Sequence, residues 1–190
     1  MEKEIEIWSK INTRQIKALM FHEQMADYFD FLGLMGFKRE HEYRFFAENA
    51  EMRGVHRYVL NHHNVLLPEE PVEAVKAIPS SWYNYSRFDV DMATRKKAIE
   101  EAFSKWRVWE KETKAFYCEK FVELTANKSI ADANKLNELI TDVDMELKHL
   151  ERQILELKAV DYDSFYVMQE QCKLHDKYKS MAEKIGVSIC

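Results

Sequence analysis

The sequence predicts an all-α helical bundle, and three observations carry that expectation. Four glycines and three prolines in 190 residues fall far below the usual usage of about 7% and 5%, which leaves little chain suited to turns. Apolar residues recur at alternating three- and four-residue spacings over most of the length, the period of one helix face. All three prolines (Pro68, Pro71, Pro79) lie in one stretch where that period fails. Four bundle helices, a long crossover between helices 2 and 3, and an additional C-terminal helix account for the pattern. The chain is long enough to bury one bundle core and has no composition break, so residues 1–190 are read as a single domain.

The first helix is expected over residues 9–32. Ser9 is a good N-cap residue, and Ile11, Ala18, Phe21, Met25, Tyr28, Phe29 and Leu32 share a face. Gly33 and Gly36 supply a tight turn into a second helix over 39–62, with Phe45, Met52, Val55 and Val59 on its inner stripe. The crossover occupies 63–91, with Pro71–Ala77 a candidate short helix within it. A connection of that length is unusual in a compact domain unless it runs the length of a bundle to join parallel helices. The aromatics of Trp82-Tyr-Asn-Tyr85 are expected to rest against the bundle.

A third helix is expected over 92–125, with Ile99, Ala102, Phe103, Trp106, Trp109, Tyr117 and Leu124 inward. Asn127-Lys-Ser129 forms the next turn, with Ser129 a candidate N-cap. The fourth helix, 130–158, has the cleanest seam: Leu136, Ile140, Val143, Leu147, Leu150, Ile154 and Leu157, spaced as in bundle or coiled-coil packing. A more polar fifth helix spans 163–184, and Gly186 ends it.

Several function classes are disfavoured. A net charge of −5 is the wrong footprint for a nucleic-acid surface. No apolar run approaches the roughly 18 residues of a membrane span, and Met-Glu-Lys-Glu-Ile-Glu is not how a signal peptide starts, so a cytoplasmic location is expected. Cys118, Cys172 and Cys190 are odd in number and widely spaced, the pattern of reduced thiols rather than disulfides. No glycine-rich phosphate loop or Gly-x-Ser-x-Gly elbow is present.

Acids at inward helical phases are the chemically informative feature, because an unpaired buried carboxylate costs several kcal/mol. Glu110 lies about 40° from Trp106 on an ideal helix, well inside its stripe. A buried partner lysine or arginine is the alternative to metal there. Glu146-Leu-Lys-His149 puts a carboxylate and an imidazole one turn apart at the edge of the fourth-helix seam, in a polar strip with Asp142 and Gln153. Glu48 falls within the second-helix stripe and Glu51 near its edge, so Glu48-Asn-Ala-Glu51 could act as a two-carboxylate substitute for a Glu-x-x-His pair. His62-His63 looks like a chelating pair, but adjacent helical residues point about 100° apart, which favours a solvated helix end. Cys172-Lys-Leu-His175 lacks the two further ligands of a tetrahedral zinc site.

The stretch from Glu110 to Leu157, with Glu146-x-x-His149 followed by Leu150 and Ile154, resembles the last two bundle helices of bacterial non-haem ferritins and bacterioferritins. The paired hairpins and crossover are similar to the ferritin-like layout. The resemblance implies a four-helix bundle holding two metal ions, iron or manganese, with Fe(II) oxidation and assembly into a homo-oligomer. It places Glu110, Glu146, His149 and a second-helix acid as ligands, with Glu23 the natural match for the lone first-helix glutamate, although Glu23 lies nearly opposite that helix's apolar face and His22 sits at its border. The second helix departs from the pattern. If Glu51 matches the expected glutamate, Gly54 stands where the histidine belongs; if His56 matches the histidine, Arg53 stands where the glutamate belongs. The other expectation is therefore a non-catalytic interaction or structural protein on a ferritin-like scaffold with a degenerate metal site.

Overall fold

The computed structural model describes residues 2–68 and 70–187; Cys190 lies outside them. Five α-helices follow in order: α1 Glu2–Phe31, α2 Met35–His63, α3 Met92–Ala126, α4 Ile130–Ala159 and α5 Ser164–Lys184. The first begins earlier than its capping residue suggested. Glu2 and Glu4 occupy its first turn, where acids complement the helix dipole. Ser9 is buried inside α1, and its hydroxyl donates to the Pro68 carbonyl at 2.9 Å. Ser129 does precede α4, but its hydroxyl donates to Glu4 at 2.6 Å rather than capping its own helix.

Gly33 takes φ +72° in the α1–α2 turn, a left-handed conformation that glycine adopts without steric cost. Gly36 serves a different purpose. A Cβ built on it would lie 1.9 Å from the Gln171 carbonyl oxygen, so the α2 and α5 backbones cross too closely for any side chain. Gly36→Ala is expected to force these helices apart and to cost about 1–3 kcal/mol, the range for overpacking. Urea unfolding with far-UV detection measures it, and an unchanged midpoint would show that α5 moves freely on α2.

The crossover has no helix over Pro71–Ala77, which is irregular; its helical pieces are 3-10 turns at Ser80–Asn84 and Arg87–Asp89. Gln24 fixes it on α1 by donating to the Val75 carbonyl and accepting from the Ala77 amide. Trp82 is buried against Tyr28 and Phe31. Arg87 then reaches the Asp30 carbonyl and carboxylate at the α1–α2 turn. The chain thereby returns to the end where α2 began, and α3 runs parallel to α2.

The core is divided. At one end Trp8, Ile11, Val55, Val59, Tyr117 and Leu136 pack together. At the other, Phe29, Phe37, Phe103, Trp106, Leu150 and Leu174 form a second apolar cluster. Between and beside them lies a buried polar belt of Gln15, His22, Glu40, His41, Arg44, Glu110, Thr113 and Gln153. Buried polar groups cost several kcal/mol each unless partnered, so this belt locates the chemistry. It also corrects the expected α2 stripe. Phe37, Glu40, His41, Arg44, Val55 and Val59 are buried, whereas Phe45 and Met52 are half-buried. No helix among the described residues is long and apolar enough to cross a membrane. Cys118 and Cys172 are free and exposed.

Candidate metal centre

Four glutamates from three helices converge electrostatically in the belt: Glu48 and Glu51 from α2, Glu110 from α3 and Glu146 from α4. Burial, with the neighbouring charges of Glu51, Glu146 and Glu110, pushes the Glu48 carboxyl well above the usual range. Burial and the charges of Glu146, Asp142 and Glu110 take Glu51 up to about 8. Burial and Glu146 likewise take Glu110 up to about 8, against the opposing pull of Arg44 and of the Trp106 indole, which donates to Glu110 at 2.9 Å. Glu51 and Glu110 are thereby held largely protonated at neutral pH, and Glu48 is pushed in the same direction. Like charges sharing a desolvated site cannot all ionise.

One cation is built in. Arg44, 6% exposed, lies 2.5 Å from Glu146 and 3.4 Å from Glu40, with its guanidinium over the Trp106 ring. Burial would lower its pKa, but the charges of Glu146 and Glu40 drive it above the ordinary arginine range. Glu48 and Glu51 make no salt bridge or side-chain hydrogen bond with Arg44 or with any other described residue. Arg14 and Lys135 oppose the negative charge only from a distance, at Glu110 and Glu51.

Toward α5, a second network surrounds Glu40, which is completely buried. Tyr178 donates to it at 2.6 Å, Gln153 at 3.1 Å, and His149 Nε2 lies 3.4 Å away. Burial alone would raise this carboxyl, but His149, Arg44 and the Tyr178 hydroxyl together hold it far below the usual range. Glu40 is consequently ionised and spoken for.

Toward α1, His22 and His41 face each other with Nδ1 atoms 2.8 Å apart. One nitrogen must donate and the other accept, so the two rings cannot both be protonated. Burial and mutual repulsion take His22 well down. Burial lowers His41 to about 3, with the charge of Arg44 adding to it and Glu40 only partly opposing. His22 Nε2 approaches Glu110 at 3.9 Å.

The sequence-derived ligand candidates separate accordingly. Glu48, Glu51, Glu110 and Glu146 belong to one coupled group. His149 turns from Glu146 to Glu40 and Tyr178, away from the coupled carboxylates. Glu23 is exposed on the outside of α1, with His22 taking the inward position beside it. Arg44, Glu40 and His41 were not anticipated, because their phase is inward but the α2 stripe was judged from its apolar members. His22 at the border of the α1 face was the one available signal.

Among the described residues, no three of Glu48, Glu51, Glu110 and Glu146 bring ligand atoms within 4.8 Å of one another. Hard carboxylate oxygens without their own cations, at Glu48 and Glu51, are what a divalent ion needs. Gln15 adds an unsatisfied polar group, since both amide atoms are buried without a partner. The α1–α2 register, with Asn12 opposite His56 and His22 opposite His41, puts Gln15 at the level of Glu48 and Glu51. Glu146 already has the Arg44 guanidinium against it, and His149 contacts Glu40. Among the described residues, the trio of potential ligands whose atoms all lie within 4.8 Å of one another is a different one, His62, His63 and Asp132.

No family model matches the sequence, and no curated protein matches it. Solved structures do. An open-pore ferritin from the hyperthermophilic archaeon Archaeoglobus fulgidus matches at a TM-score of 0.75 with 16% identity, over 92% of this chain and 96% of the other. A humanized archaeal ferritin matches at 0.75 with 15% identity and the same coverage. An iron-soaked PmFTN variant matches at 0.71 with 12% identity, over 90% and 98%. Agreement of this extent at such low identity is agreement of backbone architecture. The chain has a ferritin-like fold: an all-α bundle with the long crossover between α2 and α3 and an additional C-terminal helix.

Proposed function

We propose that the bundle binds one divalent metal ion, iron(II) or manganese(II), between α2, α3 and α4 through Glu48, Glu51, Glu110 and Glu146. The observation that carries this reading is the convergence of four carboxyls from three helices, of which Glu48 and Glu51 have no salt-bridge partner among the described residues. An entering ion displaces the carboxyl protons and supplies the missing charge. That several structural neighbours are ferritins, one of them soaked in iron, supports iron as the ion. With iron(II) as substrate, the activity proposed is oxidation to iron(III), in which two iron(II) ions, bound in turn, each give one electron to dioxygen, which takes up two protons and leaves as hydrogen peroxide. Anaerobic titration with iron(II), and with manganese(II) followed by electron paramagnetic resonance, tests binding. About one ion per chain is expected in the core, lost in Glu110→Ala and in Glu48→Gln/Glu51→Gln; no binding above background would end the reading.

Arg44 supports a second reading, in which the guanidinium has replaced the metal and the protein is a non-catalytic interaction or structural scaffold. Absence of core binding in the wild type, with binding gained in an Arg44 variant, would establish that alternative. In either case we propose a cytoplasmic homo-oligomer without nucleic-acid partners. The exposed Leu66, Phe88 and Phe165 support self-association, which sedimentation measures.

A further inference from the structure

We propose a second metal site, of the zinc(II) class, formed by His62, His63 and Asp132 where the C-terminus of α2 meets the N-terminus of α4. One ligand atom from each residue lies within 4.8 Å of the others, a span within which one ion could sit between them at the 2.0–2.2 Å bonds of a histidine and carboxylate zinc site. The two rings approach each other with centroids 4.8 Å apart. This is possible because α2 ends at His63, and Asn64 takes the left-handed φ of 58° that turns the chain away.

Asp132 is the element that makes this a site rather than a solvated helix end. It is 3% exposed, and Trp8 Nε1 donates to its Oδ1 at 2.7 Å, Tyr58 OH at 3.2 Å and His63 Nε2 at 2.8 Å. All three bonds use the same oxygen. The carboxylate is thereby fixed by three donors while Oδ2 takes part in none of these bonds, the outer support that metal-ligating groups characteristically have. His62 is stacked on the Tyr58 ring at 5.2 Å and 14°, so its orientation is fixed too. Two imidazoles and one carboxylate suit zinc(II) and its neighbours more than the hard ions of the core, and three protein ligands leave the fourth position to solvent. The charge also complements the C-terminal end of α2. Bound metal would tie α2 to α4 independently of the glutamates in the belt.

Cobalt(II) is the probe, because its visible absorption reports tetrahedral coordination by imidazole and carboxylate. Wild type is expected to bind cobalt(II) with an intense visible band that zinc(II) abolishes, and zinc(II) is expected to raise the melting temperature. His62→Ala, at an exposed position that leaves the Asp132 bonds intact, is expected to weaken binding at least tenfold and to remove the thermal shift. Glu48→Gln/Glu51→Gln is expected to leave both unchanged. A wild type without the band, a His62→Ala protein that binds as the wild type does, or loss in the Glu48/Glu51 variant instead would overturn the proposal.

Discussion

Arg44→Met is expected to destabilise the protein by about 3–5 kcal/mol at pH 7, the cost of removing one partner from a buried ion pair. Arg44 is the cation nearest both Glu40 and Glu146. Without it, Glu40 remains fully enclosed with only Tyr178, Gln153 and a 3.4 Å contact to His149. The penalty belongs to the stranded carboxylate, so Arg44→Met/Glu40→Gln should recover a large part of it. Arg44→Lys should fall between, because an ammonium cannot face two carboxylates with a planar fork. Urea unfolding measures all three, and a loss under about 1 kcal/mol in Arg44→Met would show that the guanidinium is not what compensates the belt. The same variant clears the space beside Glu146. Manganese(II) bound in the core is expected to rise from about one ion per chain to two, counted in a His62→Ala background so that the second site contributes nothing.

The second large effect is on pH dependence. Glu51 and Glu110 have folded-state pKa values of about 8 against ordinary values of 4.5, and Glu48 is raised as well. A raised folded pKa means that the unfolded carboxylate ionises first. Stability is therefore fully present below about pH 4.5 and is lost as pH rises toward 8, at about 1.4 kcal/mol per unit for each independent group. Glu40 acts in the opposite sense. Its folded pKa is depressed, so its contribution is present above 4.5 and disappears as the pH falls lower. The metal-free protein should be most stable near pH 5 and weaken toward pH 8. Glu110→Gln keeps an acceptor for Trp106 and removes one titrating group; it should match wild type at pH 5 and exceed it by a few kcal/mol at pH 8. Chemical denaturation at the two pH values, with chelator present, decides this. A wild-type profile flat from pH 5 to 8 would contradict the coupled belt. Added manganese(II) should restore wild-type stability at pH 8, because bound metal takes the place of the displaced protons.

The sequence made α4 legible because its seam is entirely aliphatic, and Leu136, Leu147, Leu150 and Leu157 are buried as their spacing requires. Helix α2 was less legible for a physical reason. Its inward residues keep the helical period, but at Glu40, His41 and Arg44 they are charged or polar, and an apolar count assigns those positions to solvent. Only partners from α4 and α5 make their burial tolerable, and no single-helix argument contains those partners. Glu110 could be placed because Trp106 fixed its phase. Glu23 had an assignment from resemblance alone, and its own phase opposed it, in favour of His22. The histidine pair at 62 and 63 shows the same limit of a single-helix argument. The 100° rule describes one regular helix, whereas Asp132 arrives from another helix and the chain turns immediately after His63.

The position of α5 bears on the order in which the molecule can assemble. Tyr178 and Glu40 are 138 residues apart in sequence, and Gly36 meets Gln171 across a similar interval. Contacts of such long separation form late, since the intervening loop must close first. During synthesis the α1–α2 hairpin emerges early and must wait with the Glu40 face uncovered until the last helix arrives. The Glu40 network is therefore complete only once α5 has docked, and a chain lacking that contact keeps one polar flank open.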